Sequence, residues 1–280
     1  MTDSAAGQWA GWLTKERDAH ADDKGRARTI SVLHQIRDRV LDGARVEPGE
    51  TVVDLGAGTG LLAAEAAERV GPDGRVVAVD LSAPALSRIP AFIGRAAATL
   101  TALPLRPAFA HAVVARSVLV YVEDLDGAVA EAARILRPGG RLSLFEPVNR
   151  DRAHDAALPG FTQEQLDDLA RAQASASETV RTMLAFTPDR LTRALAAAGF
   201  TDVRTDIDLN LQRLEGEAAA EAYLHQRGHA GAATPLEQAA ALWGADGAAR
   251  YRDAWLQAAR DQGAITYRTP VLYCTATRRA

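Results

Sequence analysis

The chain has 280 residues, a formal net charge of −4, 48% hydrophobic residues and 24% charged residues. These values are ordinary for a globular protein and exclude a fibrous or wholly disordered chain. They also provide no overall positive charge to attract nucleic acid. The single cysteine, Cys274, excludes an intrachain disulfide, a cysteine-based zinc site and a dithiol redox pair.

The start of the sequence, MTDSAAGQWAGW, lacks the cationic and apolar regions of a secretory signal. Nowhere does an uncharged apolar run approach the ~18 residues that a membrane-spanning helix requires. We therefore expect a cytoplasmic protein that has no membrane partner.

The first half of the chain alternates between helical and strand patterns. Residues 1–45 are polar and helical, with an amphipathic helix that ends at Gly43. A short β-branched run, Thr51–Leu55, is followed by a helical pattern over Leu61–Val70 and by a strand over Arg75–Leu81. Strand, helix and strand within about 30 residues predict a βαβ unit with parallel strands.

The alternation continues to the end of the chain and predicts an α/β domain over residues 46–280. Its further predicted elements are a strand at Ala110–Val114, a helix at Asp126–Leu136, and strands at Arg141–Glu146, Val203–Leu211 and Pro270–Thr277. Two stretches, at about 149–186 and 215–267, interrupt the pattern. We expect them, together with residues 1–45, to form a helical cover over the carboxyl ends of the strands, of which residues 1–45 and 215–267 are mobile. These segments contain all four tryptophans of the chain, which are Trp9, Trp12, Trp243 and Trp255.

A glycine-rich loop follows the first predicted strand, in the sequence Asp54-Leu55-Gly56-Ala57-Gly58-Thr59-Gly60. Glycine permits positive φ and lets a ligand approach the main chain, while the next helix N-terminus favours an anionic group. Asp80 stands twenty residues after Gly60, at the end of the second strand. A carboxylate at this point can accept hydrogen bonds from ribose hydroxyls, so the loop predicts an adenosine-containing ligand.

The spacing of the glycines distinguishes between the possible adenosine-containing ligands. A dinucleotide-binding loop requires glycine or alanine at the position that Leu61 occupies here, which disfavours a nicotinamide-dependent dehydrogenase. The glycines could also form a tight turn without a ligand. The position of Asp80 disfavours that interpretation.

Three motifs carry a resemblance to a known family. VVDLGAGTG, VVAVD and LRPGGRLSLFEP, in this order and spacing, resemble class I S-adenosylmethionine-dependent methyltransferases over residues 45–150, with a weaker match over 186–214. The resemblance implies a Rossmann-like fold whose seven-stranded, mostly parallel sheet has an antiparallel last strand. It also implies S-adenosylmethionine as the cofactor and S-adenosylhomocysteine as the product.

The resemblance further implies which residues bind the methionine and ribose parts of the cofactor. Gly56, Ala57 and Gly58 would line the methionine part, with Asp54 beneath it near the amino group. Asp80 would hold the ribose.

The resemblance also implies which residues bind the adenine part of the cofactor. Leu81 would pack on adenine, and Arg116, at the end of the fourth strand, would face the cofactor. The family has an acidic residue that reads the adenine amino group where this sequence has Thr99. Main-chain contacts at Thr99 and Leu100 could replace it.

The catalytic residues are less well defined by the sequence. Methyl transfer is an in-line displacement at an activated sulfonium, so alignment supplies most of the acceleration, and a base is needed only when the acceptor must lose a proton. The candidate bases are His154, His225 and His229, of which the last two are four residues apart and could share one helix face. Tyr121 and Glu146 are pocket candidates by their positions. No metal site is predicted.

The acceptor is expected to be a small molecule, because the insertions carry mixed charge and no basic patch. Their aromatic residues favour an apolar or aromatic acceptor. A lone Cys274 disfavours the thiol-dependent arsenite branch of the family. Two alternatives stay open: an enzyme of the same fold that catalyses a cyclisation or rearrangement, and a non-catalytic cofactor-sensing subunit. A homodimer also stays open as the assembly.

Overall fold

The computed structural model describes residues 7–9, 11–12 and 23–279. The predicted N-terminal cover over residues 1–45 is therefore described only in part, and its other residues lie outside the described ranges. No helix within these ranges has the length and apolar character needed to cross a bilayer.

The fold is built on one eight-stranded sheet with the order β3-β2-β1-β4-β5-β8, in which β6 and β7 also pair with β8. The strands are β1 Thr51–Leu55, β2 Arg75–Asp80, β3 Gly94–Ala97, β4 Ala110–Arg116, β5 Leu136–Pro147, β6 Ala153–His154, β7 Phe200–Glu215 and β8 Ala264–Arg278. Strands β1 to β5 pair in parallel, whereas β8 is antiparallel to both β5 and β7. The predicted mostly parallel sheet with an antiparallel last strand is confirmed. The eighth strand is the two-residue β6.

Nine helices lie between or beside these strands from residue 23 onwards. They are α1 Asp23–Gly43, α2 Leu61–Val70, α3 Ala83–Leu86, α4 Leu125–Ile135, α5 Gln163–Ser175, α6 Glu178–Ala185, α7 Pro188–Ala197, α8 Gly216–Leu224 and α9 Pro235–Gln262. Single turns of 3₁₀ helix occur at Leu119–Tyr121 and Asn149–Asp151. Most of the helices begin at a capping side chain, such as that of Thr187, which accepts a hydrogen bond from the Arg190 N–H.

Helices cover both faces of the sheet, which explains the continuous apolar runs of its central strands. Successive residues of a strand point to opposite faces. Val52 therefore packs in the core formed with α1 and α2, while Val53 packs in the core formed with α4 and α7. The central strands hold the carboxyl ends of β1, β2 and β4 close together.

A third hydrophobic core joins the insertions to the sheet. It contains α8, α9 and the beginning of β8, and Trp255 is completely buried in it. The predicted second insertion, 215–267, is shorter in the structure, because β8 begins at Ala264 and pairs there with β7. Strand β3 was not predicted, since its sequence, GRAA, has none of the β-branched or aromatic residues that favour strands.

Candidate active site

The loop between β1 and α2 has a backbone that requires glycine. Gly56, Gly58 and Gly60 adopt φ values of 66°, 53° and 93°, a region that other residues adopt only with strain. A Cβ atom added at Gly56 would also overlap the side chain of Val118. The loop therefore presents the main chain of Gly56 and Gly58 to the space above the sheet.

Asp80 fixes this loop from the neighbouring strand. Its Oδ2 accepts a hydrogen bond from the Gly58 N–H, and its Oδ1 accepts one from the Ser82 N–H, both at 2.8 Å. The carboxylate is only partly buried and lines the cavity above the loop. Because each carboxylate oxygen can accept two hydrogen bonds, Asp80 retains capacity for the hydroxyls of a ligand.

Asp54 lies beneath the loop and does not line the cavity. It is 1% exposed, its Oδ2 accepts a hydrogen bond from the Ala63 N–H at 3.0 Å, and its Oδ1 has no partner among the described residues. Burial raises the pKa of Asp54 to about 8, although the Ala63 bond and the charge of Arg116 oppose this rise. A buried acceptor without a donor is costly, so a cationic donor near the loop would stabilise Asp54.

A cavity of about 1380 Å³ opens at the carboxyl ends of the strands. Eight of the nine predicted cofactor-binding residues line it, and only Asp54 does not. The eight are Gly56, Ala57, Gly58, Asp80, Leu81, Thr99, Leu100 and Arg116. The structure thus brings together residues that the sequence separates by up to 60 positions, while their contacts with the cofactor remain predictions.

Three aromatic residues, Trp9, Trp12 and Tyr121, line another part of the same cavity. We call them the aromatic wall. The rings of Trp9 and Tyr121 meet edge to face, with centroids 4.8 Å apart, and those of Trp9 and Trp12 are 5.8 Å apart. The Trp12 indole N–H donates to the Arg227 carbonyl oxygen at 2.9 Å. This bond joins the N-terminal segment to the loop after α8, so the two predicted cover segments meet beside the cavity.

Tyr121 is held in this wall by the turn that follows β4. Burial raises its pKa to about 12, with a further contribution from the charge of Glu146. The phenol is therefore protonated at neutral pH and can donate a hydrogen bond, but it is poorly suited to act as a base.

Glu146 has a different place from the one predicted for it. It does not line the cavity and is completely buried behind the 3₁₀ turn at Leu119–Tyr121. Its carboxylate accepts hydrogen bonds from the backbone N–H groups of Val118, Leu119 and Val120, at 3.0, 2.9 and 3.3 Å. Burial raises the pKa of Glu146 to about 7, although these hydrogen bonds and the charge of Arg116 lower it. Glu146 anchors the turn that carries Tyr121.

None of the three histidines predicted as bases lines the cavity in the described structure. His154 forms β6, where its ring lies 5.0 Å from that of Trp255 and 5.3 Å from that of Tyr267. Its Nδ1 accepts a hydrogen bond from the Ala156 N–H at 3.2 Å, and burial lowers its pKa. The packing of His154 belongs to the third core and places the ring away from the cofactor loop.

The other two histidines do not share a helix face, because α8 ends at Leu224. His225 forms a hydrogen bond with Glu221, with 3.2 Å between its Nε2 and the carboxylate oxygen. His229 lies in the following loop, buried 6.3 Å from the Tyr121 ring, and its Nδ1 is 3.0 Å from the Ala230 carbonyl oxygen. It therefore supports the aromatic wall from behind.

The tryptophans of α9 also lie apart from the cavity. Trp243 packs on Phe161 at 5.0 Å, and Trp255 stacks on Tyr267 at 5.9 Å. In the second insertion, α8 and the loop after it reach the cavity, whereas α9 supports them from outside. Within the ranges described above, no cluster of three His, Cys, Asp or Glu side chains could hold a metal ion.

Several cavity residues were not among the predicted site residues. They include a row on α1, with Thr29, Val32, Leu33 and Ile36, and the end of β7, residues 210–215. The amphipathic pattern identified the helix but could not show that part of its apolar face borders a cavity. The polar alternation of β7 gives no sign of a site.

The comparisons with known proteins agree with this geometry. Residues 53–144 match the model of a family described as a methyltransferase domain. The nocamycin O-methyltransferase of Saccharothrix syringae is 31% identical over 204 residues, which are 68% of this chain and 73% of that protein. The chain belongs to the class I S-adenosylmethionine-dependent methyltransferases.

Solved structures show the same fold. This methyltransferase superposes with a TM-score of 0.56 on a Bacillus halodurans protein assigned as a methyltransferase, at 15% identity, covering 88% of this chain and 100% of the other. Geranyl diphosphate C-methyltransferase from Streptomyces coelicolor superposes with a TM-score of 0.53 at 18% identity, covering 99% of this chain and 97% of the other. That structure contains S-adenosylhomocysteine. The family membership excludes the dehydrogenase interpretation.

The residues present fit S-adenosylmethionine as the cofactor of this methyltransferase. Gly56 and Gly58, which have no side chains, leave room for a close-lying ligand, and the partly exposed Asp80 offers acceptors for hydroxyls. The unpartnered Oδ1 of Asp54 suits a site near an ammonium group. When bound, the cofactor supplies a methyl group that its sulfonium already activates for displacement.

Proposed function

We propose that this methyltransferase acts on a small-molecule acceptor with an apolar or aromatic body. The observation that carries the proposal is the continuity of the cavity, which reaches from the glycine loop to the aromatic wall of Trp9, Trp12 and Tyr121. Flat aromatic side chains favour stacked or edge-to-face contact with another ring. An acceptor seated against them would share one continuous cavity with the cofactor.

The size of the cavity supports two ligands. Pockets that hold one drug-sized molecule usually have volumes of about 300–1,000 Å³, and this cavity has about 1380 Å³. The space beyond the cofactor loop is therefore sufficient for a second small molecule. The non-catalytic alternative predicts a cofactor pocket with no such adjoining space.

The charges around the cavity disfavour a nucleic acid as the acceptor. Two arginines, Arg116 and Arg213, line the cavity, together with five carboxylates: Asp80, Glu123, Asp124, Glu178 and Glu215. A surface that binds a phosphate backbone needs an excess of positive charge instead. The names of two similar proteins, which methylate nocamycin and geranyl diphosphate, also support a small acceptor.

The chemistry that this chain contributes is mainly alignment and exclusion of water. In-line displacement requires the acceptor atom to be held close to the methyl group and opposite the leaving sulfur, and such positioning supplies up to about 7–11 kcal/mol. Tyr121 can donate a hydrogen bond to orient the acceptor, and Trp9 and Trp12 can exclude water above it. Because none of the described histidines lines the cavity, acceptors that need no strong base fit best.

Turnover with a panel of acceptors tests the proposal. The purified protein is incubated with S-adenosylmethionine and with quinols, hydroxylated aromatic acids and apolar carboxylic acids, or with tRNA and protein mixtures. We expect S-adenosylhomocysteine to form together with a methylated small molecule, detected by mass spectrometry. Methylation of RNA or protein alone would overturn the acceptor class. Conversion of a small molecule without S-adenosylhomocysteine would instead support a cyclisation or rearrangement.

A further inference from the structure

Strand β7 forms a long edge of the sheet. It has 16 residues, and within the described part of the chain it pairs along one side only, with β8. Its residues 204–213 are all exposed, so both of its faces are open to solvent along this stretch. Edge strands of this length are usually shortened, charged or covered, because their free N–H and C=O groups pair readily with another strand.

One face of this edge carries an apolar row, Ile207, Leu209 and Leu211. These residues are 54%, 58% and 53% exposed and are among the few large apolar residues exposed on the described surface. Ile207 pairs with Leu272 of β8, which assigns the row to the sheet face that packs on α4 and α7. Like that buried face, the row therefore favours a dry contact.

The other face of the edge is polar and already partly organised. Asp206 and Asp208 form ion pairs with Arg39 of α1, whose guanidinium lies 3.6 Å from the centre of the Tyr273 ring. Asn210 and Gln212 continue this polar face. The pattern over residues 206–212 thus alternates strictly between a polar and an apolar side.

We infer that β7 is the interface of a homodimer, in which the β7 strands of two copies pair antiparallel about a two-fold axis and join the two sheets. A two-fold axis normal to the sheet maps each face of the sheet onto itself. Because successive residues of β7 point to opposite faces, the apolar residues of one copy oppose those of its partner only in every second register. The register centred on Leu209 fulfils this condition best. It places Leu209 opposite the partner's Leu209 and Ile207 opposite the partner's Leu211.

The polar face selects the same register. Centred on Leu209, it sets Asp208 opposite the partner's Asn210 and Asp206 opposite the partner's Gln212, so each carboxylate faces an amide donor. A register centred on Asp208 would oppose two carboxylates, which destabilises a strand pair. One centred on Asn210 would set Ile207 opposite the partner's Arg213. The sequence of β7 is therefore self-complementary, which argues for a second copy of this chain as the occupant.

The interface adjoins the cavity. Asn210, Leu211, Gln212 and Arg213 belong both to the proposed edge and to the cavity lining. A partner strand along this edge would cover that part of the cavity wall. The dimer itself does not depend on the proposed acceptor and can be tested without any ligand.

The assembly state tests the inference directly. We expect the full-length protein to sediment as a dimer at micromolar concentration. Leu209→Lys should weaken the dimer at least about tenfold in Kd, because it sets two like charges opposite each other at the axis. Leu242→Lys, at another exposed apolar residue, should leave the dimer unchanged. A monomeric wild-type protein, or equal effects of the two variants, would overturn the inference.

Cross-linking tests the register. In the dimer, Leu209→Cys should link to residue 209 of the partner through a bismaleimide that reaches less than ~10 Å. Leu211→Cys should not link to residue 211 of the partner, because these two positions would lie about 13 Å apart. Mixing Ile207→Cys with Leu211→Cys should restore the link. The native Cys274 is buried and does not interfere. Circular dichroism checks that each variant folds. Efficient self-linking at residue 211, or no link at residue 209 in a dimer, would contradict this interface.

Discussion

The backbone N–H of Gly58 donates to the Asp80 carboxylate at 2.8 Å and so joins the loop after β1 to the end of β2. The same carboxylate accepts from the Ser82 N–H. One side chain therefore shapes the glycine loop and also faces the cavity where the cofactor is expected. Changes at either residue should affect cofactor binding more than folding.

Asp80→Ala should lower the affinity for S-adenosylmethionine by about one to two orders of magnitude. The variant loses acceptors for the ribose hydroxyls, and hydrogen bonds to a charged group contribute about 1.5–3 kcal/mol. Isothermal titration calorimetry measures the change. Asp73→Ala, in the exposed turn before β2, is the matched control and should bind normally. Unchanged affinity of the Asp80 variant would remove Asp80 from the site.

Gly58→Val should abolish cofactor binding while the fold is largely retained. A β-branched residue resists the φ of 53° and places its side chain beside the cavity lining. Gly139→Val controls for backbone strain, since Gly139 has a φ of 74° but open space around it and no place in the lining. Calorimetry and circular dichroism distinguish the two effects. If both variants lose binding equally, strain rather than the site is the cause.

Glu146→Gln should reduce the dependence of stability on pH without abolishing it, because the raised pKa of Asp54 contributes a slope of the same sign over this range. Burial raises the pKa of Glu146 from 4.5 to about 7, so the folded state holds a proton that the unfolded state has lost between these values. Stability should therefore fall as the pH rises from about 4.5 to 7, by at most about 3 kcal/mol from this group.

Urea unfolding across this pH range, compared between the wild type and the variant, measures the contribution of Glu146. The exposed Glu68→Gln substitution on α2 should leave the slope unchanged. A slope in Glu146→Gln as steep as that of the wild type would contradict a contribution from Glu146. The slope that remains should be lost on substitution of Asp54, whose pKa burial raises to about 8.

The aromatic wall should report ligand binding. Trp9 and Trp12 line the cavity, while Trp243 and Trp255 pack in the third core. Titration with S-adenosylhomocysteine should change the tryptophan fluorescence of the wild type and of Trp243→Phe. The change should be lost in the double variant Trp9→Phe and Trp12→Phe. Its persistence there would show that ligand binding does not reach the wall.

The same wall should affect the acceptor more than the cofactor. Trp9→Ala removes the edge contact with Tyr121 and should raise the KM for the acceptor severalfold more than the Kd for S-adenosylmethionine, because the glycine loop is untouched. Steady-state kinetics and calorimetry provide the two values. A larger effect on cofactor affinity would contradict the assignment of the wall to the acceptor.

The central part of the fold and the cofactor loop could be predicted from the sequence because their determinants are local. Each central strand is a short continuous apolar run, and Asp54 to Asp80 spans one βαβ unit whose geometry confines its two strand ends to the same edge. Glycines at positive φ and a carboxylate at a strand end are specific to few structures. Eight of the nine predicted cofactor-binding residues consequently line one cavity.

The places of Glu146 and of the histidines differ from those predicted. Glu146 ends a strand at the correct edge of the sheet, but three N–H groups of the turn after β4 fold over it and close it off. His225 and His229 have helical spacing, yet Gly228 lies between them and α8 ends before them. That glycine was a local sign against a shared helix face.

The aromatic wall and the β7 edge were likewise beyond the sequence. Trp9 meets Tyr121 only because these two residues, which are far apart in the chain, pack against each other. Alternation in β7 predicts a strand without showing which of its faces are covered. Periodicity records what one segment prefers, whereas contacts between distant segments depend on how all the elements pack. The sequence therefore determined the sheet and the cofactor loop, and packing determined what surrounds them.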